Sequence, residues 1–279
     1  MTTTLRPVEP LQQTPGGGRA RTYDVCVNSR RVGSVRLATV PGFGPGAGEI
    51  TALAIDEPDR RRGRGTVAAL AGEEILRGWG CGRIHVSVPA GADAALRMTT
   101  ALGYTERSRN MVKELPAEPP ELPPGVETRP MTEAEYPEWE ARARQGFAQS
   151  WIDRGVPADQ ARAKAEASHR AHLPQGLATP GTTIEVVLRD GAPTGSLWTG
   201  RIEFEPGTTG AYVYDVEIDE ARRGQGYGRA LMLLAERVAL DAGESLLGLH
   251  VFAGNIPALR LYASLGYRTT HVNSFKTLV

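Results

Sequence analysis

Long apolar runs are missing from this 279-residue chain. The longest, such as residues 231–235 and 67–71, fall far short of the roughly 18 residues that a bilayer-spanning helix needs, so no transmembrane helix is expected. The opening MTTTLRPVEP has no apolar stretch behind a basic start, which speaks against a secretory leader and makes the cytoplasm the expected location. Cysteine is scarce. Cys26 and Cys81 stand far apart, with no Cys or His at ligand spacing, which suggests neither a zinc site nor a disulfide framework, and both are expected as small core residues. No metal is called for. Charge of one sign is also missing, since 32 basic residues balance 32 acidic ones. A protein that blankets nucleic acid needs a large positive excess to displace counterions from phosphate, so nucleic acid is excluded as the main partner.

What is present is length enough for two domains. Residues 115–125, LPAEPPELPPG, place five prolines in eleven positions, which removes backbone donors and fixes φ. The expected organisation is a first domain over 1–115, a linker over 116–125 and a second domain over 126–279. Gly16 to Gly18 mark a further flexible stretch. Beyond the linker, 126–129 reads as a short strand, and Thr132 with Glu135 forms a T-x-x-E box opening a helix to about Gln149. A second helix spans 157–172, and Pro174 stops it. Residues 183–188, the turn Asp190-Gly191 and residues 194–202 read as a hairpin. A strand over 212–218, a helix over 229–242 capped by Gly243 and an apolar strand over 246–252 follow. The fold class is α+β, with helices and strands mixed.

The two parts share a spacing. LGY occurs at 102–104 and at 265–267, an offset of 163, and the same offset pairs Gly80 with Gly243 and Ile55 with Ile218. The arginine and glycine loops, RRRGRGTV at 60–67 and RRGQGYG at 222–228, match at an offset of 161, which predicts a small difference in loop length. A tandem duplication accounts for the pattern.

The loop over 222–228 lies between the strand ending at Ile218 and the following helix. Its glycines let successive N–H groups turn toward one point, and the positive end of the helix adds attraction for an anion. No Lys-Ser/Thr follows the glycines, which rules out a Walker loop, and the G-x-G-x-G spacing fits a dinucleotide fingerprint poorly. Arg223, Gly226 and Gly228 do satisfy R/Q-x-x-G-x-G/A, and Asn255 precedes a helix that carries Tyr262 and ends in Gly266-Tyr267. In these two motifs residues 126–279 resemble the GCN5-related N-acetyltransferases (GNAT), and the tandem arrangement resembles that of mycothiol synthase. The resemblance implies a tandem GNAT fold, each domain a mostly antiparallel, splayed sheet flanked by helices. It implies acetyl-coenzyme A as acyl donor, with its pyrophosphate on the backbone of Arg223, Gly224, Gln225, Gly226, Tyr227 and Gly228. The pantetheine arm would then run along Val216 and Ile218, with Asn255 nearby.

Acetyl transfer to an amine needs two proton movements, because the amine attacks only when neutral and the departing thiolate must be quenched. Tyr262 matches the family position of the general acid. For the base, strand alternation puts Glu217 and Asp215 on one face; Glu217 ranks first, His250 is its rival, and water remains an alternative. By the same offsets the first half has Ala92, Thr99, Ala54, Ala52 and Val67 where the second has Asn255, Tyr262, Glu217, Asp215 and Gly228, so it reads as a degenerate, non-catalytic copy. The expected acceptor is a primary amine on a small molecule. A protein N-terminus or lysine, or coenzyme binding without turnover, are the alternatives, and a homodimer stays open. Glu133, Glu135, Glu138 and Glu140 either attract a cationic acceptor or simply suit a helix N-terminus. Trp139, Phe147 and Trp151 are expected to pack their helix onto the sheet.

Overall fold

The computed structural model describes residues 2–14, 16–44, 46–222 and 224–278, without the side chain of Glu220. The chain forms two compact units, Met1–Arg109 with Thr270–Val279, and Asn110–Thr269. Among the described residues no helix is long and apolar enough to cross a membrane.

In chain order the first half contains β1 (Thr3–Pro7), β2 (Gln12–Thr14), β3 (Gly18–Val27), β4 (Arg30–Thr39), β5 (Ala47–Ile55), α1 (Arg64–Gly78), β6 (Arg83–Pro89), α2 (Asp93–Ala101) and β7 (Thr105–Glu114). The second contains β8 (Val126–Pro130), α3 (Tyr136–Ile152), α4 (Ala158–His172), β9 (Thr183–Arg189), β10 (Ala192–Glu205), β11 (Thr208–Ile218), α5 (Tyr227–Asp241), β12 (Leu246–Phe252), α6 (Ile256–Ser264) and β13 (Arg268–Thr277). Residues 116–125 hold neither helix nor strand.

Strand order in the first unit is β1-β3-β4-β5-β6-β13, with β2 hydrogen-bonded to β3; in the second it is β8-β9-β10-β11-β12-β7. The two orders are the same, except that each half of the sequence sends its last strand to the other unit. Residues 271–277 of β13 pair antiparallel with β6, and residues 110–114 of β7 belong with β12 in the second unit. The units follow strand pairing, not the proline-rich linker. In both, one parallel pair, β5 with β6 and β11 with β12, sits in an otherwise antiparallel neighbourhood.

Each exchanged strand is pinned by a part-buried lysine on a buried glutamate. Lys276 of β13 donates to Glu73 of α1 at 2.6 Å, with the ammonium 5.7 Å from the ring centre of Tyr104. Lys113 of β7 donates to Glu236 of α5 at 2.7 Å, with the ammonium 5.8 Å from the ring centre of Tyr267. These trios repeat at the 163 spacing. They also explain an acid on the apolar face of α5, where Glu236 is 1% exposed among Leu231, Leu234, Ala235 and Ala239. Burial raises both phenols well above the ordinary tyrosine range, and the glutamate charge adds to it. Each buried leucine on α5 contributes about 1.5–3 kcal/mol.

The local expectations mostly carry through. The Asp190-Gly191 turn has φ of 52° and 75°, the left-handed pair that matches strand twist in a two-residue hairpin. Cys26 and Cys81 are buried and free. Gly16 and Gly17, expected as a flexible stretch, form a turn between β2 and β3, with φ of 83° and 81° and the Gly17 N–H donating to the Thr14 carbonyl at 3.1 Å. Helix α3 starts one turn later than the capping box predicts. Glu135 accepts from the Thr132 amide at 3.0 Å as expected, but it also takes both Arg129 guanidinium nitrogens, at 2.6 and 2.8 Å. Those bonds hold its carboxyl far below the usual carboxylate range.

Candidate active site

Parallel pairing of β11 with β12 runs only from Ala211 opposite Leu247 to Val213 opposite Leu249. At that point β11 carries a bulge, because Thr199 of β10 faces Val213 while Trp198 faces Asp215, leaving Tyr214 as the extra residue. A bulge bends its strand and increases local twist. Beyond it β11 follows β10, β12 continues to Phe252, and the two strands open a wedge. Gly195 lets β10 stay close on the far side, where a Cβ would lie 2.4 Å from the Glu217 carbonyl oxygen.

The two faces of β11 differ. Leu197 is fully buried opposite Val216, and Val216 and Ile218 pack on the α5 core. On the other face Ser196 accepts from the Trp139 indole at 3.1 Å and Trp198 meets Trp139 edge-on, which places α3 over it. Ser196 and Trp198 lie opposite Glu217 and Asp215. Both acids therefore face α3, as strand alternation predicts.

Asp215 has a carboxyl pushed up to about 7, by burial first and by the neighbouring Glu217 charge second, against a lowering hydrogen bond from the Val216 amide. Glu217 is instead paired with Arg142 of α3, Nε to Oε1 at 3.7 Å. Tyr262, on α6, is pushed up to about 12, by burial and then by the charge of Asp215. Asp215 is thus within electrostatic reach of both Glu217 and Tyr262. His250 stands on the other arm of the wedge, edge-on to Phe252 at 5.0 Å between ring centres.

At the start of α5, Gly224 and Gly226 have φ of 78° and 89°, and Gly226 is the N-cap. The first amides of a helix lack intrahelical acceptors, so those of Tyr227 and Gly228 point out of the helix end with its positive dipole. Among the described residues, and apart from its own chain neighbours, a Cβ on Gly224 or Gly226 would have no atom within 4 Å, leaving room for a ligand against the backbone. Tyr227 is buried, and Gln225 turns its amide back to the Ala221 carbonyl at 3.2 Å. Arg223 lies outside the described residues. Asn255 caps α6, its Oδ1 accepting from the Ala258 amide at 3.2 Å. Its carbonyl is thereby occupied, and only its NH₂ group is left to donate.

The first unit shows what the second has kept. Its α1 is N-capped by Gly63, which is 163 residues before Gly226. The loops therefore align at 163 throughout, without the expected length difference. Gly65 corresponds to Gly228, and Arg61, at φ 58°, takes the left-handed place of Gly224. Matching letters instead of conformations had shifted the register by two. The loop survives, but Asp59 lies buried beneath it, taking Arg30 at 2.8 and 2.9 Å and pairing with Arg64. The second unit has Arg222 in place of that acid. Ala52 and Ala54 are exposed on β5, and Thr99 spends its hydroxyl on the Leu96 carbonyl at 3.0 Å.

The sequence reading missed Arg142 and an aromatic wall beside the acids. Tyr214 lies between Trp198, stacked at 4.8 Å, and His172 of α4, at 4.5 Å between ring centres. Burial lowers the His172 pKa. The spacing of Glu138 and Arg142 gave the one available signal, an i,i+4 pair. Trp151 is buried and packs edge-on against Phe252 at 5.9 Å, as a packing residue should.

The sequence profile of the Acetyltransferase (GNAT) family matches residues 6–104 and 149–267. The uncharacterized N-acetyltransferase YdgE of Bacillus subtilis is 32% identical over 151 residues, 53% of this chain and 95% of that protein. The mycothiol acetyltransferase of Thermomonospora curvata is 28% identical over 289 residues, 93% of this chain and 84% of its own. That of Brachybacterium faecium is 30% identical over 225 residues, 77% of this chain and 64% of its own. Among solved structures, a GCN5-related N-acetyltransferase from Sphaerobacter thermophilus superposes with a TM-score of 0.60 at 17% identity, covering 92% of this chain and 80% of that one. A tandem GNAT protein from the clavulanic acid biosynthesis pathway superposes at 0.52 and 18%, covering 95% and 84%.

Proposed function

Because the chain belongs to the acetyltransferase (GNAT) family and is an acyltransferase, we propose that its second unit transfers an acetyl group from acetyl-coenzyme A to a primary amine on a small molecule. The observation that carries the reading is the placement of Asp215 just beyond the β11 bulge and of Tyr262 on the core cluster that also takes in Val216 and Ile218, where the first unit has Ala52 and Thr99. Acetyl-coenzyme A supplies the activated thioester. The amides and glycines of 224–228 hold its diphosphate, with Arg223 assigned by its place in the family signature, and the open edge of β11 at Val216 to Ile218 pairs with the extended arm. Asn255 lends its NH₂ group.

Asp215, with a pKa of about 7, suits a base working near neutrality better than Glu217, whose charge Arg142 answers. It takes the proton of the incoming ammonium. The neutral amine then attacks the carbonyl carbon, the C–S bond breaks, and Tyr262 donates to the departing sulfur. The two steps are coupled, because protonating Asp215 removes the charge that raises the Tyr262 pKa. His250, on the far arm, has the weaker claim to the base role. Several relatives along the chain are named mycothiol acetyltransferase, which supports a small-molecule acceptor over a protein one.

The test is free-thiol release from acetyl-coenzyme A by the full chain across a panel of primary amines. Tyr262→Phe is expected to lower kcat about tenfold or more, within the range for acid–base groups, with the KM for acetyl-coenzyme A nearly unchanged. Equal turnover in the variant removes the tyrosine from the mechanism. Tight coenzyme binding without thiol release for any amine favours the binding-module reading.

A further inference from the structure

Arg142 is held out from α3 toward the sheet. Its Nη1 donates to Glu138, one turn earlier, at 2.7 Å, while its Nε faces Glu217 of β11 at 3.7 Å. Glu217 lies two residues from Asp215 on the same strand face, which separates their backbones by about 7 Å. Trp198 faces Asp215 from β10, Tyr262 approaches from α6, and His250 stands across the wedge on β12. On the adjoining bulge His172 of α4 lies tilted against Tyr214, and His169 of the same helix packs tilted on Trp198 with ring centres 5.2 Å apart. From α3 come Arg142 and, farther along, Arg144, which pairs with Glu140 at 3.8 Å and acts on His169; Arg142 is the one in contact with Glu217.

We propose that Arg142 is a positioning residue: by pairing with Glu217 it fixes the negative charge that Asp215 faces, and with it the pH range over which the site turns over. The proposal rests on the reading of Asp215 as the base. Two carboxylates on one face oppose each other's ionisation, and a guanidinium on one of them relieves the other. Without Arg142 the Glu217 charge acts on Asp215 uncompensated, and Asp215 gains its own charge only at higher pH. Without Glu217 the effect reverses, and Arg142 loses the contact that holds it toward β11, leaving Glu138 as its partner. At this separation, in a partly solvated site, each change amounts to about one pH unit.

The experiment follows the side-chain carboxyl carbons of aspartate by ¹³C NMR in the full chain, with the Asp215 signal identified by its loss in Asp215→Asn. Arg142→Gln is expected to raise the Asp215 midpoint by about one unit, Glu217→Gln to lower it by a similar amount, and the double variant to match Glu217→Gln alone. Arg142→Lys keeps the charge and should return the midpoint toward that of the parent protein. The acid limb of thiol release, measured with acetyl-coenzyme A and the fastest amine of the panel, should move with the NMR midpoint. An unchanged midpoint in Arg142→Gln, or a shift equally large in the Glu217→Gln background, overturns the role of Arg142. A midpoint that moves while the limb stays fixed overturns instead the reading of Asp215 as the base.

Discussion

Asp215 bears two opposite consequences for pH. As a base it works only when ionised, so turnover should rise as pH climbs through about 7. For stability the sign is the reverse. Between the ordinary aspartate range and about 7 the folded chain keeps a proton that the unfolded chain has released, so folding stability falls as pH rises across that window. Asp215→Asn removes the slope. Thermal unfolding should show the variant gaining in Tm relative to the parent at pH 8 and not at pH 4; equal gains at both would mean that the carboxyl is not destabilised by burial. The sequence already placed Asp215 and Glu217 together, because alternation along a strand is a local property. That Arg142, on a helix far away in the chain, faces Glu217 has no local signature in the sequence.

Helix α5 begins with a glycine in a left-handed conformation, and so does α1. An L-residue there is strained by roughly 1–2 kcal/mol, so Gly226→Ala and Gly63→Ala should each cost about that much in chemical denaturation. Only the first should also raise the KM for acetyl-coenzyme A, since it alters the backbone that faces the diphosphate. A rise of similar size for Gly63→Ala would move the productive coenzyme site to the first unit. At this scale the sequence was largely readable. The Asp-Gly hairpin, helices α3 and α4 and strand β12 were visible from turn chemistry and periodicity. The register of the Arg/Gly loops was not, because Arg61 sits where the duplicate has Gly224 and only the backbone angle shows that they correspond.

The composition of the two units was hidden for a different reason: pairing between strands far apart in sequence leaves no mark in composition. A proline-rich stretch looks like a boundary, yet residues from both sides of it build each unit. Proteolytic nicking within 116–125 should therefore yield two fragments that co-elute as one species in native size-exclusion chromatography and part only in denaturant. Separate elution without denaturant would show that each half stands alone. Removing one partner of a buried ion pair costs about 3–5 kcal/mol, which makes Lys113 and Lys276 the clasps of this arrangement.

The exchange also sets an order in time. Domains emerging from a ribosome ordinarily fold as they appear, the N-terminal one first, but here the first unit lacks β13, whose residues are synthesised after every other strand described. The second unit, by contrast, receives β7 before its own first strand is made. In this chain the earlier half waits for the later one, because the first unit closes its sheet on β6 only once β13 has been made.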